Sequence, residues 1–176
     1  VLDAMKRQTN IEDVQAKTRL LQSHGISVGM FIMLGYDGEQ ISDIEATVDH
    51  LKRSNPDVFL TTVAYPIKGT GYYQAVEHKI ASGPVWTNRT DRDLRVTGRH
   101  SARFYNHATR WMVNEVQLHR QRQQGSRNLP RLLKLYLNAR RGRLGMWFTR
   151  HQREEEGGRP GSGRGWPARE RAADAW

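Results

Sequence analysis

Hydrophobic and polar positions at the start of the chain predict a helix that is followed at once by a strand. Thr9 and Glu12 have the spacing of a capping box, and Gly25 stands where a helix commonly ends. Between them, Ile11 and Leu21 belong to an apolar stripe at helical spacing. The near-continuous apolar run 26–34 (ISVGMFIML) has the length of a strand, and such a run is typical of a strand covered on both faces of a parallel sheet.

A second helix and a second strand follow. Ser42 and Glu45 are spaced as another capping box, and the segment 55–57 (NPD) ends the helix because proline disfavours helical geometry in the residue before it. The apolar stripe of this helix is Ile44, Val48 and Leu51. The run 58–65 (VFLTTVAY) is rich in β-branched and aromatic residues and predicts a strand. This βαβ order predicts parallel strands. Because two strands cannot close a sheet, we expect further strands before Val1.

The C-terminal half predicts helices and a tail. After a loop at 66–71 and a short helix at 72–79 with Thr70 as a candidate N-cap, a long helix is predicted from about His100 and another over 128–150, with Pro130 in its first turn. The stripe of the long helix is Phe104, Ala108, Trp111, Val116 and Leu118. Residues 154–176 combine Gly, Pro, Arg and Glu with almost no aliphatic side chains, so we expect them to be disordered. We therefore divide the chain into an α/β part (1–80), a helical extension (81–153) and a tail (154–176).

The amino-acid composition limits the kinds of chemistry that this chain can carry out by itself. The 176 residues carry a net charge of +10 and no cysteine, which excludes disulfides, cysteine nucleophiles and iron–sulfur ligation by this chain itself. All of the positive excess lies after residue 80, where 19 of the 20 basic residues are Arg. The scattered histidines have no metal-ligand spacing. With no signal peptide and no apolar run of bilayer length, we expect a cytoplasmic protein.

Three segments in order carry a family resemblance: VLDAMKR, HGISVGMFIMLGYDGE and PDVFLTTVAYPIKGTGYY. Together they resemble the second half of a radical S-adenosylmethionine (SAM) barrel, in the subgroup that often carries a cobalamin-binding domain and includes the anaerobic magnesium-protoporphyrin monomethyl ester cyclase. The match covers about residues 1–73. Two departures are visible: Asp37 replaces a usual proline, and the CxxxCxxC loop is absent.

The resemblance implies a fold, cofactors and a site. The fold would be the C-terminal portion of a partial (β/α)6 barrel, and the parent enzyme would use a 4Fe–4S cluster and SAM, with cobalamin as a further cofactor in some relatives. By position, Met33, Leu34 and Gly35 would lie against the adenine of SAM, and Tyr65 and Pro66 would end the next strand at the substrate cavity. The parent would react through a 5′-deoxyadenosyl radical or by cobalamin-assisted methyl transfer or cyclisation of a small-molecule substrate. The fragment alone, without cluster ligands and without the N-terminal half of the barrel, would be inactive.

Other interpretations stay open. Met33 also fits plain strand core, and Glu39 fits the positive end of a helix as well as a catalytic role. The Arg-rich half is compatible with a tRNA-binding surface of an RNA-modifying radical SAM enzyme, although alternating aromatic and basic residues are missing. A non-enzymatic binding protein is a third possibility. Around Arg131 to Trp147 a basic amphipathic helix is compatible with an anionic membrane, but Gly142 and Gly145 interrupt the pattern.

Overall fold

In the computed structural model, which describes residues 10–81, 91 and 94–154, two parallel strands alternate with helices. The elements are α1 (Ile11–Ser23), β1 (Gly29–Leu34), α2 (Ile41–Ser54), β2 (Val58–Val63), α3 (Gly71–Val76), a 3-10 turn (Glu77–Lys79), α4 (Ala102–Gln123) and α5 (Leu129–Thr149). The mixed α/β class predicted from the sequence is confirmed. The VLDAMKR segment and residues 155–176 of the predicted tail lie outside the described residues.

The two strands pair in parallel, as the βαβ order predicts. Gly29 lies opposite Val58, and the register continues to Leu34 opposite Val63. Both strands are shorter than predicted, because β1 begins three residues after Ile26 and β2 ends two residues before Tyr65. Among the described residues, the sheet consists of these two strands and forms no barrel.

Helices α1 and α2 are capped by residues other than the predicted Thr9, which lies outside the described residues, and Ser42. Asn10 caps α1, since its Oδ1 accepts the Asp13 amide at 3.1 Å. At α2 the amide of Gln40 donates to Oδ2 of Asp43 at 2.8 Å. The cap is the extended residue directly before the first helical turn, and these positions precede Ile11 and Ile41. The predicted end of α1 is confirmed by a Schellman motif, in which Gly25 at φ 74° donates to the carbonyl of Gln22.

Within the described ranges, helices cover one face of the sheet. Met30, Ile32 and Leu34 of β1 and Phe59 and Val63 of β2 pack with α2 and α4 in one core. The core also contains the predicted stripes of both helices, including Ile44, Val48, Leu51, Phe104, Ala108, Trp111 and Val116. The core thus joins residues from the 1–80 and 81–153 segments.

In the described part of the chain, the first strand is covered on one face only, so these residues do not supply the predicted cover on its second face. Phe31 is 82% exposed and Met33 is 42% exposed, because α2 and α4 lie on the opposite face. In β2 the matching residues Val58 and Leu60 are exposed too. We call the surface of Phe31, Met33, Val58 and Leu60 the open sheet face.

The outer helices also differ from their predicted stripes. In α1, Ile11 and Leu21 are partly exposed, whereas Gln15 and Thr18 are buried because α1 packs against α2 through that side. In α5 the buried residues are Leu135, Ala139, Gly142, Met146 and Thr149. The predicted N-caps and first turns are confirmed at Thr70, which caps α3, and at Pro130 in α5.

Glycine allows α5 to lie close to α4. A Cβ added at Gly142 would meet the backbone nitrogen of Trp111 at 2.5 Å, and one at Gly145 would overlap the His107 ring. The expectation that these glycines interrupt an apolar stripe is therefore wrong, because they form the contact face of α5 instead. Within residues 10–81, 91 and 94–154, no helix is long and apolar enough to cross a membrane.

Candidate functional site

The carboxyl ends of β1 and β2 meet at one edge of the sheet, where the following loops begin. The amide of Ala64 donates to the carbonyl of Leu34 at 2.7 Å and continues the parallel ladder past the last paired residues. In parallel α/β folds, this edge is where ligands bind and where reactive side chains converge. The predicted site residues Met33, Leu34, Gly35, Tyr65 and Pro66 flank this junction.

Gly35 turns the chain out of β1 in a conformation that favours glycine. Its φ is 76°, and an added Cβ would lie 2.9 Å from Cζ of Tyr105 and 3.2 Å from Cγ1 of Val63. Tyr105 of α4 is almost completely buried, with 2% of its surface exposed. Glycine is therefore required here both by the backbone conformation and by the close approach of the tyrosine ring.

A buried carboxyl group closes the loop after β1. Oε2 of Glu39 accepts a hydrogen bond from the Gly35 amide at 2.7 Å, and Glu39 is only 9% exposed. Burial raises the pKa of Glu39 from 4.5 to about 7, because the charged form loses hydration, although the Gly35 hydrogen bond partly opposes this effect. A carboxyl group with this pKa can hold or release a proton near neutral pH.

Tyr105 connects this carboxyl group with the end of β2. Burial raises the pKa of Tyr105, and the nearby charge of Glu39 raises it further, whereas the charge of Arg99 lowers it. The neutral phenol is therefore the stable form. Tyr105 thus lies within electrostatic reach of both the Glu39 carboxyl group and the Arg99 guanidinium cation.

Arg99 and Tyr72 bring buried polar groups to the end of β2. Nη1 of Arg99 donates to the carbonyl of Ala64, while Nε of Arg99 is buried without a hydrogen-bond partner among the described residues. The Tyr72 hydroxyl is likewise buried and accepts or donates no hydrogen bond in the described part of the chain. The ring of Tyr72 stacks on Tyr36 with centroids 4.7 Å apart. Such unsatisfied groups beside a strand end favour a role in binding a polar ligand.

An ion pair fixes the outer part of the same loops. Nζ of Lys79 lies 2.8 Å from Oδ2 of Asp37, and both side chains are partly exposed. This pair joins the loop after β1 to the 3-10 turn that follows α3. Because exposed pairs contribute little free energy, it orients the two loops more than it stabilises them.

The predicted site residues occupy two different environments. Met33 projects from the open sheet face and Tyr65 is partly exposed, so both side chains can contact a ligand. Leu34 and Pro66 are buried, and Gly35 is buried beneath Tyr105, so they support the site from within. The structure thus gathers the five residues at one edge, and their role in binding adenine stays a prediction.

Comparisons with known proteins found no relative of this chain. No protein-family model, no curated protein and no solved structure matches this chain. The site therefore rests on its own geometry, and the radical SAM resemblance stays a prediction.

The sequence does not assign Arg99 to the site, includes Tyr72 only as the end of the loop after the second strand, and leaves the role of Glu39 open. The spacing of Gly35 and Glu39, four residues apart after a strand, is the signal that points to the buried carboxyl group. No comparable signal marks Arg99 among the many arginines of the C-terminal half. Tyr105 is 2% exposed and belongs to the core, although its ring also covers Gly35. Among the described residues, no cluster of three His, Cys, Asp or Glu side chains has the arrangement of a metal site.

Proposed function

We propose that this chain is the C-terminal part of a radical SAM enzyme and that it works with a complementary barrel half carrying the cluster-binding cysteines. The bound cofactors supply one-electron chemistry or, with cobalamin, methyl transfer or cyclisation. This chain contributes two strands and their carboxyl-terminal loops. Without a partner half, it is catalytically inactive in this proposal because it has no cysteine.

The single observation that carries the proposal is the open sheet face. In a barrel, every strand has neighbours on both sides and the inward-facing side chains are covered by other strands. Here α2 and α4 cover one face, while Phe31 and Leu60 on the other face are 82% and 57% exposed. Large apolar side chains at this exposure favour a missing partner surface. A fragment of a barrel is expected to have helices on its outer face and no cover on its inner face.

The residues at the strand ends fit the nucleoside part of SAM but not the cluster. Met33 offers a partly exposed apolar side chain on the open sheet face, and the backbone of the loop that begins at Gly35 lies beyond the last strand pair. Apolar cover and backbone hydrogen bonds suit a purine. The absence of cysteine and of a described metal-ligand cluster means that the iron–sulfur group must be held by residues outside this chain.

A ligand-observed NMR experiment tests the proposed site on the full 176-residue chain. Saturation-transfer difference spectra with SAM should show transfer to the adenine protons and none to the S-methyl group, because only the nucleoside end contacts this half. Met33→Asp should abolish the transfer. Leu20→Asp is the matched control, since Leu20 is 59% exposed on α1, away from the strand ends.

The reading frame upstream of the Val1 codon gives an independent test. We expect an in-frame CxxxCxxC motif there or in a separate chain that co-purifies with this one. Two NMR results count against the proposal: no saturation transfer to the adenine protons, or an equal loss of transfer in Met33→Asp and Leu20→Asp. Either result, combined with the absence of a CxxxCxxC motif, would contradict the proposal and favour a cofactor-free binding protein.

A further inference from the structure

The side of α5 that faces away from α4 is an exposed apolar stripe. Its residues are Leu129, Leu133, Leu137, Leu144, Trp147 and Phe148, and each is at least 45% exposed. They recur at intervals of three, four and seven residues, so they share one side of the helix. The opposite side holds Gly142 and Gly145 against α4. We call this stripe with its flanking cations the outer α5 face.

The part of the chain that contains the outer α5 face is strongly cationic. From Val116 to Arg153 the chain contains ten Lys and Arg residues and no acidic residue. The cations on α5 are Arg131, Lys134, Arg140, Arg141 and Arg143, and Arg150 follows directly. Of these, Arg143 pairs with Glu45 at 3.0 Å. Arg131, Lys134 and Arg141 form no ion pair with a carboxylate in the described ranges, so their charge remains available to an anionic partner.

Two arginines lie directly on exposed aromatic rings of α5, one on Trp147 in the stripe and one on Tyr136 beside it. The guanidinium carbon of Arg150 is 4.3 Å from the Trp147 ring centroid, and that of Arg140 is 5.2 Å from the Tyr136 centroid. Long cationic side chains that extend along apolar surface keep their charged ends at its border. At a lipid interface, this arrangement would place the apolar side chains among the acyl chains and the positive charges at the level of the headgroups.

A groove beside the stripe can receive an anionic group. It lies between α4 and α5, has a volume of about 200 Å³ and is lined by Arg122, Tyr136, Arg140 and Arg143, together with Glu115. Lys52 binds Glu115 at 2.9 Å and offsets its negative charge. Since a water molecule occupies about 30 Å³, the groove has room for a phosphate group. Three guanidinium groups suit phosphate oxygens.

We propose that the outer α5 face binds the surface of membranes that contain acidic phospholipids. The leucines, Trp147 and Phe148 enter the boundary between headgroups and acyl chains, while the arginines contact lipid phosphates. The helix lies in the plane of the interface, because the contact of its glycines with α4 holds it against the rest of the protein. This membrane contact is peripheral and independent of the proposed enzymatic function.

RNA and a second copy of this chain are less suitable partners for the outer α5 face. RNA is bound through charge and stacked aromatic rings, whereas four leucines form most of this stripe. A second copy of the chain would bring two predominantly cationic surfaces together, and like charges across an interface are unfavourable. Acidic lipid satisfies both the apolar and the cationic part of the surface.

Vesicle flotation with the full chain tests the proposal. The probes are vesicles of pure phosphatidylcholine and vesicles in which about a third of the lipid is phosphatidylglycerol, the second of which should bind the chain. The double variant Leu144→Ser/Phe148→Ser should weaken this binding by roughly tenfold or more, because two apolar side chains no longer enter the interface. Arg131→Gln/Lys134→Gln should weaken it by about fivefold per charge removed.

Matched controls separate this face from other exposed surfaces. Phe31→Ser removes an apolar side chain from the open sheet face, and Lys17→Gln/Arg19→Gln removes two exposed charges from α1. Both should leave binding within about twofold of the unaltered chain. Circular dichroism should show the same helix content in all variants, since every altered side chain lies at the surface.

Three results would overturn the proposal. The first is no binding to acidic vesicles, or equal binding to both lipid compositions. The second is loss of binding in Phe31→Ser but not in Leu144→Ser/Phe148→Ser, which would place the lipid contact on the open sheet face. The third is a dimer that Leu144→Ser/Phe148→Ser dissociates, or an RNA oligonucleotide that binds without vesicle binding, since either would identify a different occupant.

Discussion

Glu39 accepts the Gly35 amide at 2.7 Å, and this hydrogen bond closes the loop between β1 and α2 over a buried carboxyl group. The ring of Tyr105 covers Gly35 from α4, so the loop is fixed by a residue 70 positions later in the chain. The strand end, its loop and α4 therefore form one unit. Changes at any of these three residues should affect both stability and the candidate site.

The first prediction concerns pH. The pKa of Glu39 is about 7 in the folded chain and near 4.5 when it is not buried, so the folded state holds the extra proton between these values. The stabilising contribution is fully present below about pH 4.5 and is lost as the pH rises through about 7. Its size is about 3 kcal/mol, because one pKa unit corresponds to about 1.4 kcal/mol. Urea unfolding at a series of pH values should show this loss in the unaltered chain but not in Glu39→Gln.

Glu45→Gln is the control for that experiment. Glu45 is an exposed partner of Arg143, so its loss should change the unfolding free energy by less than about 1 kcal/mol without altering the pH dependence. If Glu39→Gln retains the same pH dependence as the unaltered chain, the carboxyl group of Glu39 does not titrate near neutrality.

The second prediction concerns Gly35. Gly35→Ala should reduce the unfolding free energy by about 2–4 kcal/mol, because the new methyl group needs a left-handed backbone and overlaps Tyr105. Gly38→Ala is the matched control, since φ is 84° there and nothing lies within 4 Å of the new Cβ. It should cost only about 1–2 kcal/mol. Equal losses in the two variants, measured by urea unfolding, would show that Tyr105 does not crowd Gly35.

The third prediction reverses the ordinary effect of glycine in a helix. On a solvent-facing side, Gly142→Ala should stabilise α5 by about 1 kcal/mol because alanine favours the helix. Against α4 the new Cβ would meet the Trp111 backbone at 2.5 Å, so we expect a loss of about 2–3 kcal/mol instead. The thermal midpoint should fall accordingly. A rise would mean that Gly142 does not face α4.

Gly71→Ala is the control for the helix contact. Gly71 begins α3, and a Cβ there would have nothing within 4 Å. The substitution should change the thermal midpoint little, which separates the close contact at Gly142 from the general effect of replacing glycine.

The fourth prediction compares the stability cost of removing an aromatic side chain from the core with that of removing one from the open sheet face. Phe104 is completely buried between the sheet and the helices, so Phe104→Ala should cost about 3–5 kcal/mol of unfolding free energy. Phe31 is 82% exposed, and Phe31→Ala should cost less than about 1 kcal/mol in the same chain. Similar losses at both positions would show that the face of Phe31 is covered in solution.

The candidate site was only partly predictable from sequence. Strand ends can be located from apolar runs, which is why Met33, Leu34, Gly35, Tyr65 and Pro66 fall at one edge. The partners of these residues come from distant segments. Tyr105 and Arg99 reach the edge only because α4 packs on α2 and the sheet, and no local pattern records that packing.

The sequence by itself determined which elements form and in what order, but only some of their ends. Local rules act over a few residues, so the helices, the parallel strand order and the caps at Thr70 and Gly25 follow from spacing and residue type. Tertiary structure decided which faces are covered. The same apolar run in β1 is buried at Leu34 and open at Phe31, because α2 and α4 lie on one side only. Likewise, the leucines of α5 face outward because glycine, with no side chain, permits the closest approach to α4.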